Sequence, residues 1–99
     1  MLNINKTVEA SAAVLALEGR LDTVTSPVLE SELNALWDEI NSLTLDFAGV
    51  DYISSAGLRV LLLAKKRMDL KGEMKLINVC ETIMEIFEVT GFSEILTIE

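Results

Sequence analysis

The sequence has no histidine, one cysteine and one proline among its 99 residues. Without histidine, no Ser-His or Cys-His nucleophile pair can form, so a conventional serine hydrolase is excluded. A lone cysteine, Cys80, cannot make an intramolecular bridge, and it has no ligand partner at zinc-site spacing. It reads as a small buried apolar residue rather than a reactive thiol, because no cationic neighbour adjoins it. Positive charge is also scarce: 8 Lys and Arg stand against 16 Asp and Glu, a formal net charge of −8. That balance argues against a nucleic-acid face and against binding an anionic membrane through charge alone. No apolar run approaches a membrane span. Nor does the beginning Met1-Leu2-Asn3-Ile4-Asn5-Lys6 show a basic region followed by an apolar one. The expectation is a cytoplasmic protein kept in reducing conditions. Gly49 and Gly57 lack the spacing and the lysine of a phosphate-binding loop.

What remains is enough apolar sequence, 51 % of residues, for one domain over 1–99 with its own core. Met1 to Val8 alternates loosely and reads as a first strand. Val14 to Glu18 is a clearer strand that Gly19 ends, with a turn around Glu9-Ala10-Ser11 making the two a hairpin. Leu21 to Thr25 is a connector. Ser26-Pro27 then starts a helix, with serine at the cap and proline at the first helical position. Leu29, Leu33, Leu36 and Ile40 follow on one helical face, with Trp37 bordering it.

Leu43 to Phe47 alternates as a central strand, and Gly49 and Asp51 mark the turn after it. A second helix runs from Ser55 to about Leu70; it is apolar on so many positions that burial on more than one side is expected. Gly72 stops it, and Met74 to Ile77 is a short strand. Asn78 caps a third helix, about Val79 to Thr90, which Gly91 ends, and Ile95 to Ile98 is a last strand or an extended tail. The order ββαβαβαβ predicts an α/β fold with a mixed, partly parallel sheet.

The run Asp51 to Leu62, with Ser54 and Ser55 where the strand has given way and a helix is about to begin, carries the chemistry. A serine there either caps the helix with its own oxygen or stands as a hydroxyl open to modification. The first helical turn has free N–H donors and a partial positive charge, so a phosphate placed there is tolerated by the fold. Asp22, Asp46 and Asp51 could supply paired carboxylates, but acidic residues at strand ends are usually turn formers, and no nucleophile–base pair accompanies them. A chain without the usual catalytic residues reads as a binding module or switch rather than an enzyme.

Three segments together resemble the STAS domain family: Leu17-Glu18-Gly19-Arg20-Leu21-Asp22, then Leu45-Asp46-Phe47 with Val50 to Leu58, then Gly91-Phe92. The likeness is to bacterial anti-sigma factor antagonists and spans essentially the whole chain. It implies a sheet of four to five strands with helices mainly on one face. It also implies partner switching. The unmodified protein would bind an anti-sigma factor that is also a serine kinase of the histidine-kinase-like ATPase type, and so free the sigma factor. Phosphorylation would end that binding, and a metal-dependent phosphatase of the PP2C type would restore it. The family pattern at the site is commonly Asp-Ser-Ser/Thr-Gly-Leu. With Gly57-Leu58 fixed, the acceptor falls on Ser55; Ser54 takes the aspartate's place and remains a second candidate, and Ala56 takes the place of the following hydroxyl. The implied partner-binding residues are Asp22, Ser54, Ser55, Ala56, Gly57, Leu58 and Arg59. The resemblance also leaves an alternative, a STAS subunit of a lipid-transport ABC complex or stress-signalling assembly that binds its partner constitutively. The residues offer no credible metal site, and no cofactor is expected.

Overall fold

The computed structural model describes residues 2–99, so Met1 of the anticipated first strand lies outside them. Strand β1 (Leu2–Glu9) pairs antiparallel with β2 (Ala12–Leu21) through the tight Ala10-Ser11 turn. Ala10 takes a left-handed φ of 54° there. Helix α1 (Ser26–Asn34) leads to β3 (Ser42–Ile53), which is parallel to β2. Helix α2 (Ser55–Asp69) leads to β4 (Glu73–Ile77), parallel to β3. Helices α3 (Glu81–Thr90) and α4 (Phe92–Ile95) complete the chain. The sheet order is β1-β2-β3-β4, so each strand lies beside its predecessor.

Helices cover one face of this sheet. Ala13, Leu15 and Leu17 of β2, Leu43, Leu45 and Phe47 of β3, and Met74 and Leu76 of β4 all point under them and are buried. Period-two alternation sends Val14, Glu18, Glu73 and Lys75 to the bare side, where they are exposed. Leu29 and Leu33 of α1, Leu61, Ala64 and Met68 of α2, and Ile83 and Phe87 of α3 close the core from above. The anticipated layering is therefore what forms.

Several boundaries differ from the sequence reading. Strand β2 does not end at Gly19, nor β3 at Gly49. Both strands continue, and the ladder between them shifts register between Ala16 and Glu18 and again between Gly19 and Arg20. Gly19, at φ 121°, supplies a bulge conformation rather than a stop. Gly49 is required by close approach: a Cβ there would sit 3.0 Å from the Glu18 Cα and from the Leu17 carbonyl oxygen.

Helix α1 is shorter than its apolar spacing implies. It ends at Asn34, a weak helix former whose Oδ1 accepts from the Trp37 indole N–H at 2.9 Å. Leu36, Trp37 and Ile40 remain buried, but in turns that carry the chain back to Asn41, whose N–H donates to the Ser11 carbonyl at 2.8 Å. Thr25, not Ser26, is the residue before the first helical turn. Helix α2 is not buried on two sides: Leu63 faces solvent. Cys80 is only half-buried, and it, not Asn78, precedes α3. Asn78 instead adopts a left-handed φ of 58° and donates from Nδ2 to Asp46 Oδ1 at 3.0 Å.

No full last strand forms. Gly91, left-handed at φ 84°, turns the chain into α4, where Phe92 stacks on Phe87 with ring centroids 6.3 Å apart. The few residues left form an extended tail, with one parallel bridge between Leu76 and Ile98.

Leu61 is fully buried at the junction of α2 and the sheet. Leu61→Ala should lower stability by about 2–5 kcal/mol, the range for truncating a packed leucine. An equilibrium urea titration checks this, with a lowered midpoint and an unchanged slope expected.

Candidate functional site

The C-terminal ends of β2 and β3 and the start of α2 converge at one edge of the sheet. The ladder places Arg20 opposite Tyr52 and Leu21 opposite Ile53. Immediately beyond, the Ser54 N–H donates to the Leu21 carbonyl at 2.9 Å. One backbone bond therefore fixes the start of α2 against the end of β2, and it brings Asp22 beside the serine pair.

Ser54 and Ser55 divide the two roles that the sequence left open. Ser54 is the N-cap in extended conformation (φ −100°, ψ 176°), and its Oγ accepts from the Gly57 N–H at 3.4 Å. Its carbonyl accepts the Leu58 N–H at 3.0 Å, the first bond of the helix. Ser55 is the first helical residue and is exposed. Its hydroxyl is therefore displayed at the positive end of a 15-residue helix. Ala56 and Leu58 are half-buried, and Arg59 is exposed one turn beyond Ser55.

Gly57 is the inward-facing member of this turn and is buried. A Cβ there would lie 2.8 Å from Ile53 Cγ1, 2.9 Å from Leu21 Cγ and 3.0 Å from the Leu21 carbonyl oxygen. The absent side chain is what lets α2 begin so close to β2.

Asp22 organises its own turn. Its Oδ1 accepts from the Val24 and Thr25 N–H groups, each at 3.0 Å, and lies 3.0 Å from the Thr25 hydroxyl. That hydroxyl donates to the Arg20 carbonyl at 2.6 Å and accepts from the Asp22 N–H at 2.9 Å. The Asp22 carbonyl in turn takes the Ser26 N–H at 2.8 Å, opening α1. The Thr25 backbone N–H, above all, holds the Asp22 carboxyl below its ordinary value of 3.8, and the Arg20 guanidinium adds a smaller pull in the same direction.

Arg20 and Tyr52 were not singled out by sequence reasoning. The guanidinium carbon of Arg20 lies 4.0 Å from the Tyr52 ring centroid, and its Nε is 3.8 Å from Asp22 Oδ2. The sequence reading ended the strand at Phe47 and so gave Tyr52 no strand partner, and its pairing with Arg20 depends on a register set by two bulges. The three aspartates do not form a common site. Asp46 Oδ1 accepts from the Ala48 N–H and the Asn78 amide, while Asp51 is exposed on β3. No group of three or more His, Cys, Asp or Glu side chains suited to a metal occurs among the described residues.

The geometry describes a class of two-layer α/β domain, a four-stranded mixed sheet with helices on one face and a hydroxyl displayed at the start of its second helix, and comparison with known proteins identifies its family. The STAS domain family matches residues 3–99, and the chain belongs to that family. A Bordetella bronchiseptica protein named as an anti-sigma factor antagonist, BtrV, is 38 % identical over 84 residues, covering 83 % of this chain and 72 % of that one. The anti-sigma-B factor antagonist of Bacillus subtilis is 29 % identical over 100 residues, covering 98 % and 92 %. Among solved structures, the anti-sigma factor antagonist SpoIIAA in its unphosphorylated form superposes with a TM-score of 0.83 at 16 % identity, covering 100 % of this chain and 88 % of its own. Its phosphorylated form gives 0.77, with coverage of 100 % and 91 % at the same identity. The STAS fold is thus shared across the whole length. No helix among the described residues is long and apolar enough to cross a membrane.

Two outcomes test this site. Gly57→Ala should destabilise the fold by about 1–3 kcal/mol, because the neighbouring Leu21 and Ile53 must move; differential scanning calorimetry reads the loss. Asp22→Ala should cost stability at neutral pH, where the carboxylate is charged and bonded. Since folding lowers the pKa of Asp22, that contribution is complete above 3.8 and is lost as pH falls below it through the folded value. Thermal melts of the two proteins should therefore draw together as the buffer is acidified through that range.

Proposed function

We propose that this protein is an anti-sigma factor antagonist regulated by phosphorylation of Ser55, and that it is a cytoplasmic binding protein rather than an enzyme. Unphosphorylated, it binds an anti-sigma factor that is also a serine kinase of the histidine-kinase-like ATPase type, and so releases the sigma factor. Phosphorylation of Ser55 ends the association, and a phosphatase of the PP2C type restores it. The observation that carries this reading is the division of labour between adjacent serines: Ser54 is engaged as the helix cap, and Ser55 is exposed as the first helical residue. The names of the relatives support it, as does the existence of SpoIIAA in both phosphorylated and unphosphorylated forms.

The partner surface comprises Asp22, Ser54, Ser55, Ala56, Gly57, Leu58 and Arg59. Their roles in it differ. Ser55 and Arg59 present polar groups outward, and Leu58 offers partly exposed apolar surface. Gly57, Ser54 and Asp22 set the backbone on which the others stand.

Physical magnitudes fit a switch without refolding. A phosphate adds about −1.5 to −2 charges at neutral pH. The free N–H groups and positive dipole of α2 stabilise it in the isolated protein. An acidic partner surface, or a nucleotide held there, repels it, and burying such a charge unpaired costs several kcal/mol. A loss of about 1.4 kcal/mol already weakens binding tenfold.

The test is phosphosite mapping by mass spectrometry after reaction with the cognate kinase and ATP. A single phosphate on Ser55 is expected, and none on the Ser55→Ala protein. Ser55→Ala should bind the kinase and resist release, while Ser55→Asp should bind at least about tenfold more weakly. Ser54→Ala should retain modification and lose about 1 kcal/mol of stability with its cap. An unmodified Ser55, or recovery from native cells with a transporter ATPase in place of a kinase, would replace this reading with constitutive assembly as a transporter subunit.

A further inference from the structure

The surface beyond the Ser54–Ser55 end carries a concavity of ligand size, a groove of about 430 Å³ between α1 and α2. Small-molecule sites begin at about 300 Å³. Its floor is Leu33, Trp37, Val60 and Ala64, all buried. Its α2 wall is unusual. Leu63 is 44 % exposed, although a helix normally turns such a residue inward, and Leu70, just past the end of α2, is 87 % exposed.

The charge around the groove is uneven. Lys66 and Arg67 stand on the same wall as the two leucines. Neither takes part in any of the ion pairs among the described residues. Arg67 lies 5.8 Å from the Trp37 ring centroid. Lys65, Lys66, Arg67 and Lys71 place half of the chain's 8 cationic side chains within one short segment, in a protein of net charge −8. Glu30 also lines the groove, at its other end. Helices α1 and α2 both start at the C-terminal edge of the parallel strands. Glu30 is the fifth residue of α1 and Arg67 the thirteenth of α2. At 1.5 Å per residue they are separated by roughly 12 Å along the helix axes.

An apolar trough with two unpaired cations at one end selects an apolar body with one anionic head. A polyanion such as a nucleotide would place further charge over an apolar floor and beside Glu30. It would also find the Trp37 indole N–H already engaged, since it donates to Asn34 Oδ1. We propose that this groove binds an amphiphile with a single carboxylate head, of which a medium-chain fatty acid is the simplest member. The carboxylate pairs with Arg67 and Lys66, and the tail lies over Trp37 between Leu33 and Leu63. This site is separate from the Ser55 surface, and the proposal does not depend on the antagonist reading.

Trp37 is the only tryptophan, so its emission reports on the groove directly. Decanoate, titrated below its micelle concentration into the intact protein, should change that emission saturably and raise the melting temperature with ligand concentration. The Lys66→Ala/Arg67→Ala protein, folded by circular dichroism, should bind decanoate about tenfold more weakly. Decyltrimethylammonium, with the same tail and the opposite head, should also bind about tenfold more weakly than decanoate. Ligand-observed saturation-transfer NMR repeats these comparisons without relying on Trp37. Absence of saturable binding, equal binding of the two head groups, or unchanged affinity in the double variant would each overturn the proposal. So would loss of kinase binding on Leu63→Asp in a protein indifferent to decanoate, which would assign the face to a protein helix.

Discussion

The hydrogen bond from the Ser54 N–H to the Leu21 carbonyl is where the two halves of the molecule meet. It extends the β2–β3 ladder by one step past its regular end and delivers the chain into α2 at a fixed height above the sheet. Gly57 makes the bond possible, since any side chain there would occupy the space of Leu21 and Ile53. The Asp22 turn, one residue on, starts α1 from the same place. Two helices and two strands are therefore referenced to a few backbone atoms, and the displayed hydroxyl inherits its position from them.

On the proposed reading, that placement would let a small chemical event suffice as a signal. Ser55 contributes little to the fold, because the capping duty falls on its neighbour. The side chains that hold the site in shape, namely Thr25, Leu21 and Ile53, are buried. The proposed modification would therefore change what the surface presents while leaving the framework beneath as it is. Compact parallel pairing supplies the rigidity, and the helix dipole supplies the tolerance for negative charge.

Much of this was legible in the residues. Alternation in Leu43-Thr44-Leu45-Asp46-Phe47 placed the central strand, and the 3.6-residue spacing of Leu29 and Leu33 placed the inward face of the first helix. Glycines misled. Gly19 and Gly49 punctuate a sequence in the same way whether they end a strand or bend one, and only the partner strand decides between these. Leu36 and Ile40 extended the pattern of α1 because burial, not helicity, is what an apolar residue records. The pairing of Arg20 with Tyr52 was hidden for the related reason that two bulges shift the register. The exposed Leu63 was expected to be covered for want of any local sign that the helix has only one covered side.

The strand order β1-β2-β3-β4 repeats the order of the sequence. Each new strand finds its neighbour already made, and no earlier segment must wait for a later one to be inserted between it and its partner. Such a chain can be assembled in the direction in which a ribosome delivers it, hairpin first and each crossover docking on the last. The parallel bridge from Ile98 to Leu76 joins the sheet after all four strands have formed.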